Sequence, residues 1–183
     1  MLNHTEMNDT RWYRLRQGWR DWLRHHDFCL AVTVNANRPL ALDRQEHVLR
    51  QIDGKLNRAF CGPRFARLPD GERVGIVGVP ETKVSGVHFH CAVAIRQPLS
   101  DDDKVRIARG SLSSLTQIRS VRGALLPGAS IHVTPCDAGW GEYIVKSIVF
   151  ETIVYARGLS GGSRPRTVAG LINELGSDQS SIV

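Results

Sequence analysis

The stretch Arg73-Val-Gly-Ile-Val-Gly-Val-Pro-Glu-Thr-Lys-Val-Ser-Gly-Val-His-Phe-His-Cys-Ala-Val-Ala-Ile-Arg96 decides the fold. Its two apolar runs, 73–80 and 87–96, are rich in β-branched residues and predict two strands. The connection 81–86 is short, so we expect the strands to pair as an antiparallel hairpin. His88 and His90 alternate along the second strand, which puts both imidazoles on one face, about 7 Å apart at Cα.

Further elements are predicted on both sides of this hairpin from the spacing of apolar residues. The predicted elements are a helix over 10–24, a strand over 28–35, helices over 43–60 and 101–121, a strand over 129–134, and helices over 142–156 and 168–175. This order predicts an α+β fold with one central antiparallel sheet of four to five strands, flanked by helices. We place one domain at 1–157, with a basic N-terminal helix in 1–27, and a flexible linker and tail at 158–183.

The charge balance is basic, with 24 Lys and Arg against 18 Asp and Glu in 183 residues, a net charge of +6. Such a balance suits a polyanion, most often a nucleic acid. Arg14 and Arg20 lie on the N-terminal helix and are candidates for phosphate contacts. The alternative is that this helix simply packs its tryptophan stripe on the core.

Several classes of protein are disfavoured by the sequence. No apolar run approaches the ~20 residues of a membrane span, and the polar N-terminus does not resemble a secretory signal. The four cysteines contain no Cys-x-x-Cys pair, so their spacing fits no zinc module. We therefore expect reduced thiols in a cytoplasmic protein.

A metal site is predicted from the two histidines together with Glu81, which ends the preceding strand. Two imidazoles and a carboxylate suit Mn²⁺, and Mg²⁺ is the second candidate. The alternative readings are a hydrogen-bonded histidine pair and a solvated turn glutamate.

A nucleophile is predicted from Tyr143 and Lys146, which lie at i and i+3 on a helix and so share a face. A phenol, whose reference pKa is about 10, needs a neighbouring cation to act as a nucleophile. The alternative is a core tyrosine beside a lysine that reaches to solvent.

Taken together, Phe28-Cys-Leu-Ala-Val-Thr-Val-Asn35, His88-Phe-His90 and Tyr143-Ile-Val-Lys146 occur in the order typical of one group. The chain resembles the HUH endonuclease superfamily, and among its members the single-tyrosine rolling-circle replication initiators of plasmids and phages. Glu81 stands where that group often places an acidic ligand. The resemblance implies a sheet of the ferredoxin or RRM type.

The resemblance also implies an activity: metal-dependent nicking and rejoining of single-stranded DNA through a 5′-phosphotyrosine intermediate. Tyr143 would attack the phosphate, Lys146 would steady the charge, and the histidines with Glu81 would hold the metal. The residues expected to contact DNA are Arg14, Arg20, Thr33, Asn35 and Trp140. The expected substrate is a hairpin or a replication origin, with a host helicase or polymerase as a further partner.

Other functions fit the same residues. They are a single-tyrosine transposase of the same superfamily, a non-catalytic nucleic-acid-binding α+β module, and a metal-dependent hydrolase that uses water. The distance between Tyr143 and the histidine pair separates these functions, because an enzyme with a tyrosine nucleophile needs Tyr143 close to His88 and His90.

Overall fold

The computed structural model describes residues 4–117, 125–137, 139–146, 153–159 and 166–167. Its helices are α1 (His4–Arg24), α2 (Leu42–Cys61), α3 (Asp101–Ser113) and α4 (Trp140–Lys146), with short 3-10 turns at Phe65–Arg67 and Asp70–Glu72. Its strands are β1 (Leu30–Asn35), β2 (Gly75–Lys83), β3 (Gly86–Ala94), β4 (Ser130–Pro135), β5 (Ile153–Arg157) and the two-residue β6 (Arg166–Thr167).

The strands form one sheet in the order β4-β1-β3-β2-β5-β6, and every pairing is antiparallel. The α+β fold predicted from the sequence is confirmed. The hairpin strands β2 and β3 lie near the centre, so the residues on β3 are flanked by paired strands on both sides.

Alternation along the strands divides the buried side chains between two faces. On β3, Val87, Phe89, Cys91 and Val93 join a large core beneath α2 and α3. The intervening residues of β3 point to the opposite face, where Ala92 and Ala94 pack in a smaller core with residues of α1 and α4. His88 and His90 belong to this second face, which also carries Ala31, Thr33 and Asn35 of β1.

The hairpin is longer than the sequence pattern predicts. Strand β2 continues past Pro80 to Lys83, which pairs with Gly86, so only Val84 and Ser85 form the turn. Pro80 is tolerated because β5 pairs only with 76–78, and a missing N–H beyond that point breaks no bond on that side. Glu81 is therefore a strand residue directly opposite His88, and the interpretation of 81–86 as a connecting loop was wrong.

Helix α3 is shorter than the predicted 101–121 and ends at Ser113. Its start is capped, since the Ser100 hydroxyl accepts the N–H of Asp103. At its end, Ser113, Ser114 and Thr116 donate their hydroxyls to carbonyls three residues earlier. Such local bonds compete with continued helix.

The helix predicted over 142–156 was wrong over 153–156, and its residues 147–152 lie outside the described residues. Helix α4 ends at Lys146, and Ile153–Arg157 is strand β5 beside β2. β-Branched residues in 148–154 favour a strand over a helix. The N-terminal helix begins earlier than predicted, at His4.

The segment after β5 begins with residues that pack on the sheet. Leu159 is buried, and its side chain covers Gly75, where a Cβ would collide with it. Arg166–Thr167 pairs with β5. The helix predicted over 168–175 lies outside the described residues.

All four cysteines are free. Within the described ranges, no helix is both long enough and apolar enough to cross a membrane.

Candidate active site

His90 is the centre of a polar cluster on the second face of the sheet. Its side chain is only 3% exposed, and it lies between Thr33 on β1 and Val79 on β2. Its two ring nitrogens have different partners: Nε2 lies 3.1 Å from Glu81 Oε2, and Nδ1 lies 3.3 Å from Thr33 Oγ1. Both nitrogens are therefore engaged, and the ring orientation is fixed from two strands.

Burial lowers the pKa of His90 below its ordinary value, and the bond to Glu81 offsets only part of that effect. The neutral imidazole is therefore favoured. The partners assign the proton to Nε2, which donates to the Glu81 carboxylate, while Nδ1 accepts from the Thr33 hydroxyl. A neutral imidazole is the form that binds metal ions.

Glu81 accepts from two donors at one oxygen, because Oε2 also lies 2.9 Å from Lys83 Nζ. Partial burial raises the pKa of this carboxyl, but the bonds from Lys83 and His90 outweigh burial and lower the pKa overall. Glu81 is therefore ionised at neutral pH.

His88 lies on the same face as His90, two residues earlier on β3. The two rings stack with centroids 6.2 Å apart and planes inclined by 28°. His88 Nε2 lies 3.5 Å from the Ser85 hydroxyl in the hairpin turn. His88 is thus more open to solvent than His90, and its ring lies towards the hairpin tip.

The three predicted ligands share one face, but they are not arranged around a common point. Across the described part of the chain, no group of three or more His, Cys, Asp or Glu side chains is placed to hold a metal ion. The imidazole nitrogens and the carboxylate are nevertheless types of donor that bind metal ions. When two ligand atoms each lie about 2.1 Å from a metal ion and subtend a right angle at it, they are about 3.0 Å apart. This separation is close to the 3.1 Å between His90 Nε2 and Glu81 Oε2.

Tyr143 lies directly over this cluster. Its ring meets that of His90 edge to face, with centroids 4.8 Å apart and planes at 85°. Helix α4 brings it there, and Tyr143 keeps 38% of its surface exposed. The nucleophile candidate and the predicted ligands therefore form one group, although they are far apart in sequence.

Trp140 contacts both Tyr143 and His90, and its ring meets that of His90 edge to face with centroids 6.0 Å apart. The Trp140 and Tyr143 rings stack at 5.1 Å and 15°. The Trp140 indole N–H donates to the Cys91 carbonyl at 3.1 Å, which ties the start of α4 to β3. Trp140, which is expected from the sequence to contact DNA, stacks on Tyr143 in this structure.

The cation at the site is Lys83, a residue that sequence reasoning missed. The pKa of its ammonium is raised mainly by Glu81 and also by Tyr143. The available signal was its position two residues after Glu81, which places both side chains on one face of β2. Lys146, the predicted partner of Tyr143, is exposed at the end of α4 and makes no hydrogen bond or ion pair with another described residue.

The remaining predicted site residues fall in different places. Thr33 contacts His90, and Asn35 lies opposite His88 with its carboxamide accepting the N–H of Asn37. Arg14 is exposed on α1. Arg20 is bonded to Glu142, next to the tyrosine, at 2.6 Å.

Tyr155 is not a second nucleophile. It is 1% exposed on the opposite face of the sheet, and its hydroxyl donates to Asp53 Oδ2 at 2.7 Å. Burial raises its pKa far above the ordinary value for tyrosine. Only one of these two tyrosines, Tyr143, is available for chemistry.

Comparisons with protein-family models, with curated proteins and with solved structures each return no match to this chain.

Proposed function

We propose that this protein nicks and rejoins single-stranded DNA through a covalent bond to Tyr143, with a divalent metal ion, Mn²⁺ or Mg²⁺, as cofactor. The observation that carries the proposal is the contact of Tyr143 with His90, whose imidazole also bonds Glu81. An accessible phenol, two imidazoles, a carboxylate and an ammonium are the groups that phosphoryl transfer to tyrosine requires.

In the proposed reaction the Tyr143 oxygen attacks the scissile phosphorus in line. A phosphorus–oxygen bond to tyrosine forms, and the bond to the 3′-oxygen of the neighbouring nucleotide breaks. The 3′-oxygen takes up a proton and leaves as a hydroxyl, while the phenol loses its proton. Rejoining is the reverse attack by a 3′-hydroxyl, so no external energy source is needed.

This chain's own residues prepare that step. Lys83 is bonded to Glu81, and its ammonium interacts electrostatically with Tyr143. The donors for a metal are His88, His90 and Glu81, and the bound ion would polarise the scissile phosphate. Thr33 has a hydroxyl that either donates or accepts, so it supports His90 in both tautomers.

The sheet face beside the cluster offers a surface for the strand. Helix α4 packs on β3, whereas β4 at the sheet edge exposes His132, directly opposite Thr33. The open surface of β4 and β1 therefore leads to Tyr143. The net charge of +6 favours a polyanion there. With four free thiols, a cytoplasmic protein is the proposed setting.

The test is a search for a covalent adduct. The protein is incubated with a labelled single-stranded DNA library and Mn²⁺, and the products are separated on a denaturing gel. Tyr143→Phe and His90→Ala are run beside it. Tyr13→Phe is the matched control, because Tyr13 is 65% exposed on α1 and makes no hydrogen bond or ring contact with His90 or Glu81 in the described part of the chain.

We expect an adduct in the parent protein and in Tyr13→Phe, and none in the other two variants. Sequencing the trapped DNA then gives the target. Cleavage that survives Tyr143→Phe would instead indicate a hydrolase that uses water. Tight, salt-sensitive DNA binding without any adduct would indicate a binding module.

A further inference from the structure

The residue before the tyrosine is held by two arginines of the N-terminal helix. Arg20 Nε donates to Glu142 Oε2 at 2.6 Å, and Arg24 Nη2 donates to Glu142 Oε1 at 3.1 Å. The two arginines are four residues apart, so they share one face of α1. Each carboxylate oxygen of Glu142 thus has its own guanidinium.

The same two helices are packed together by apolar side chains. Leu23 lies between the two arginines in sequence and is 3% exposed, in one cluster with Ile144 and Val145 of α4. A Cβ on Gly141 would lie 3.8 Å from the Leu23 Cβ, so the backbone of α4 approaches α1 closely. Glu142 and its neighbours are therefore fixed against α1 by both charge and packing.

Helix α4 depends on such contacts. It has seven residues, and an isolated helix of that length is not stable in water. It is also attached to the sheet, by the Trp140 bond to β3 and by Ile144 and Val145, which are in one apolar cluster with residues of β2 and β3. Trp140, its first residue, is bonded to β3, and Glu142, its third, is held by two arginines. Tyr143, which follows, therefore has little freedom to move.

We propose that Arg20, Glu142 and Arg24 are positioning residues, which set the place of Tyr143 over His90 by fixing α4 against α1. This inference rests on the proposed function. It also assigns Arg20 a role other than the phosphate contact that its sequence position suggests, because its Nε is already bonded to Glu142.

The first test does not depend on activity. Hydrogen exchange is measured for the α4 amides in the parent protein, in Glu142→Gln and in Glu46→Gln. Glu46 is the matched control, since its carboxylate is also held by an arginine, Arg50, but on α2 at the opposite face of the sheet. We expect α4 protection to fall at least about fivefold in Glu142→Gln alone. Equal protection in both variants would overturn the proposal.

The second test separates positioning from DNA binding. Glu142→Gln and Arg20→Gln are each expected to slow adduct formation about ten- to hundredfold at saturating DNA, because small misplacements of a nucleophile are costly. The double variant should be no slower than Glu142→Gln alone, since Glu142→Gln already removes the bond to Arg20. DNA affinity should stay within about twofold.

A different pattern would contradict the proposal. If Arg20→Gln weakens DNA binding and flattens its salt dependence while Glu142→Gln does neither, Arg20 contacts phosphate and the positioning role is wrong. If the parent protein forms no adduct at all, the proposed function fails, and the exchange measurement still decides whether α1 holds α4.

Discussion

Thr33 lies directly opposite His90 in the β1–β3 pairing, and its hydroxyl is 3.3 Å from His90 Nδ1. Hydrogen-bond partners of this kind orient a histidine and set its tautomer, and losing one typically weakens metal binding 10- to 100-fold. A residue expected from the sequence to line a DNA surface is therefore also a support for the central imidazole.

We expect Thr33→Val, which keeps the side-chain shape, to weaken Mn²⁺ binding by about tenfold. The reason is the loss of the hydroxyl that stabilises the Nδ1-protonated tautomer when Nε2 binds the ion. Isothermal titration calorimetry measures the change. Thr134→Val is the control, since Thr134 is exposed on β4 and has no such contact with His90. Equal affinities in both variants would show that Thr33 does not orient the ligand.

Replacing Lys83 and replacing Lys146 should affect adduct formation to different extents. Lys83 is bonded to Glu81 and acts electrostatically on Tyr143, whereas Lys146 is exposed at the helix end. We expect Lys83→Met to slow adduct formation about tenfold more than Lys146→Met does. Single-turnover rates at saturating DNA measure this. A larger loss in Lys146→Met would support the role that the Tyr-x-x-Lys spacing suggests.

Glycine is required at position 86, directly after the two-residue turn of the hairpin. Its φ is +128°, and a Cβ there would collide with the backbone of Arg38. The Ala36 N–H donates to the Val87 carbonyl, and the Val87 N–H donates to the Arg38 carbonyl. The Arg38 backbone therefore cannot move away from Gly86. We expect Gly86→Ala to lower the free energy of unfolding by about 3 kcal/mol or more, as measured by urea denaturation.

The control for this substitution is Gly110→Ala. Gly110 is inside α3, and a Cβ there would meet nothing within 4 Å. It should raise stability by about 0.5–1 kcal/mol, because alanine favours helix. A similar loss in both variants would show that the Gly86 backbone is not special.

The buried Asp53 gives a pH dependence. Burial raises its pKa above the ordinary 3.8, although the hydrogen bond from Tyr155, the charge of Arg157 and the hydrogen bond from Asn57 lower it in part. Between 3.8 and the folded-state value, the folded protein binds more protons than the unfolded chain. This group's contribution to stability is therefore full below 3.8 and is lost as pH rises through the folded-state pKa.

Asp53→Asn removes this titration. Urea unfolding at a series of pH values should show the parent protein losing stability relative to the variant as pH rises through that interval. A difference between the two proteins that stays constant with pH would indicate that burial does not shift the Asp53 pKa. The constant part of the difference reports the altered bond to Tyr155.

The central hairpin could be predicted from sequence because its pattern is local. Alternating apolar residues place Phe89 and Cys91 in the core and the histidines on the other face, whatever the rest of the chain does. The end of β2 was mispredicted because Pro80 usually interrupts a strand. Pro80 is permitted within β2 because β5 pairs only with residues 76–78. That pairing joins distant parts of the chain, so the local sequence does not indicate it.

The contacts around Tyr143 depend on packing between distant elements. A local pattern indicates that Tyr143 begins a helix, but not that its ring meets His90 or stacks on Trp140. The bridge from Arg20 to Glu142 had no sequence signal, since charged residues at helix surfaces are common and most remain solvated.

The Arg20–Glu142 bridge joins residues 122 positions apart. During synthesis, the hairpin that carries His88 and His90 leaves the ribosome many residues before Tyr143 does. Helix α1 leaves earlier still, so Arg20 cannot bond Glu142 until α4 has been made. A nascent or prematurely ended chain thus contains His88, His90 and Glu81 before it contains Tyr143, the tyrosine proposed to act with them. Under the proposed function, an unfinished chain would therefore form no covalent bond to DNA, because Tyr143 is made only after strands β1 to β4.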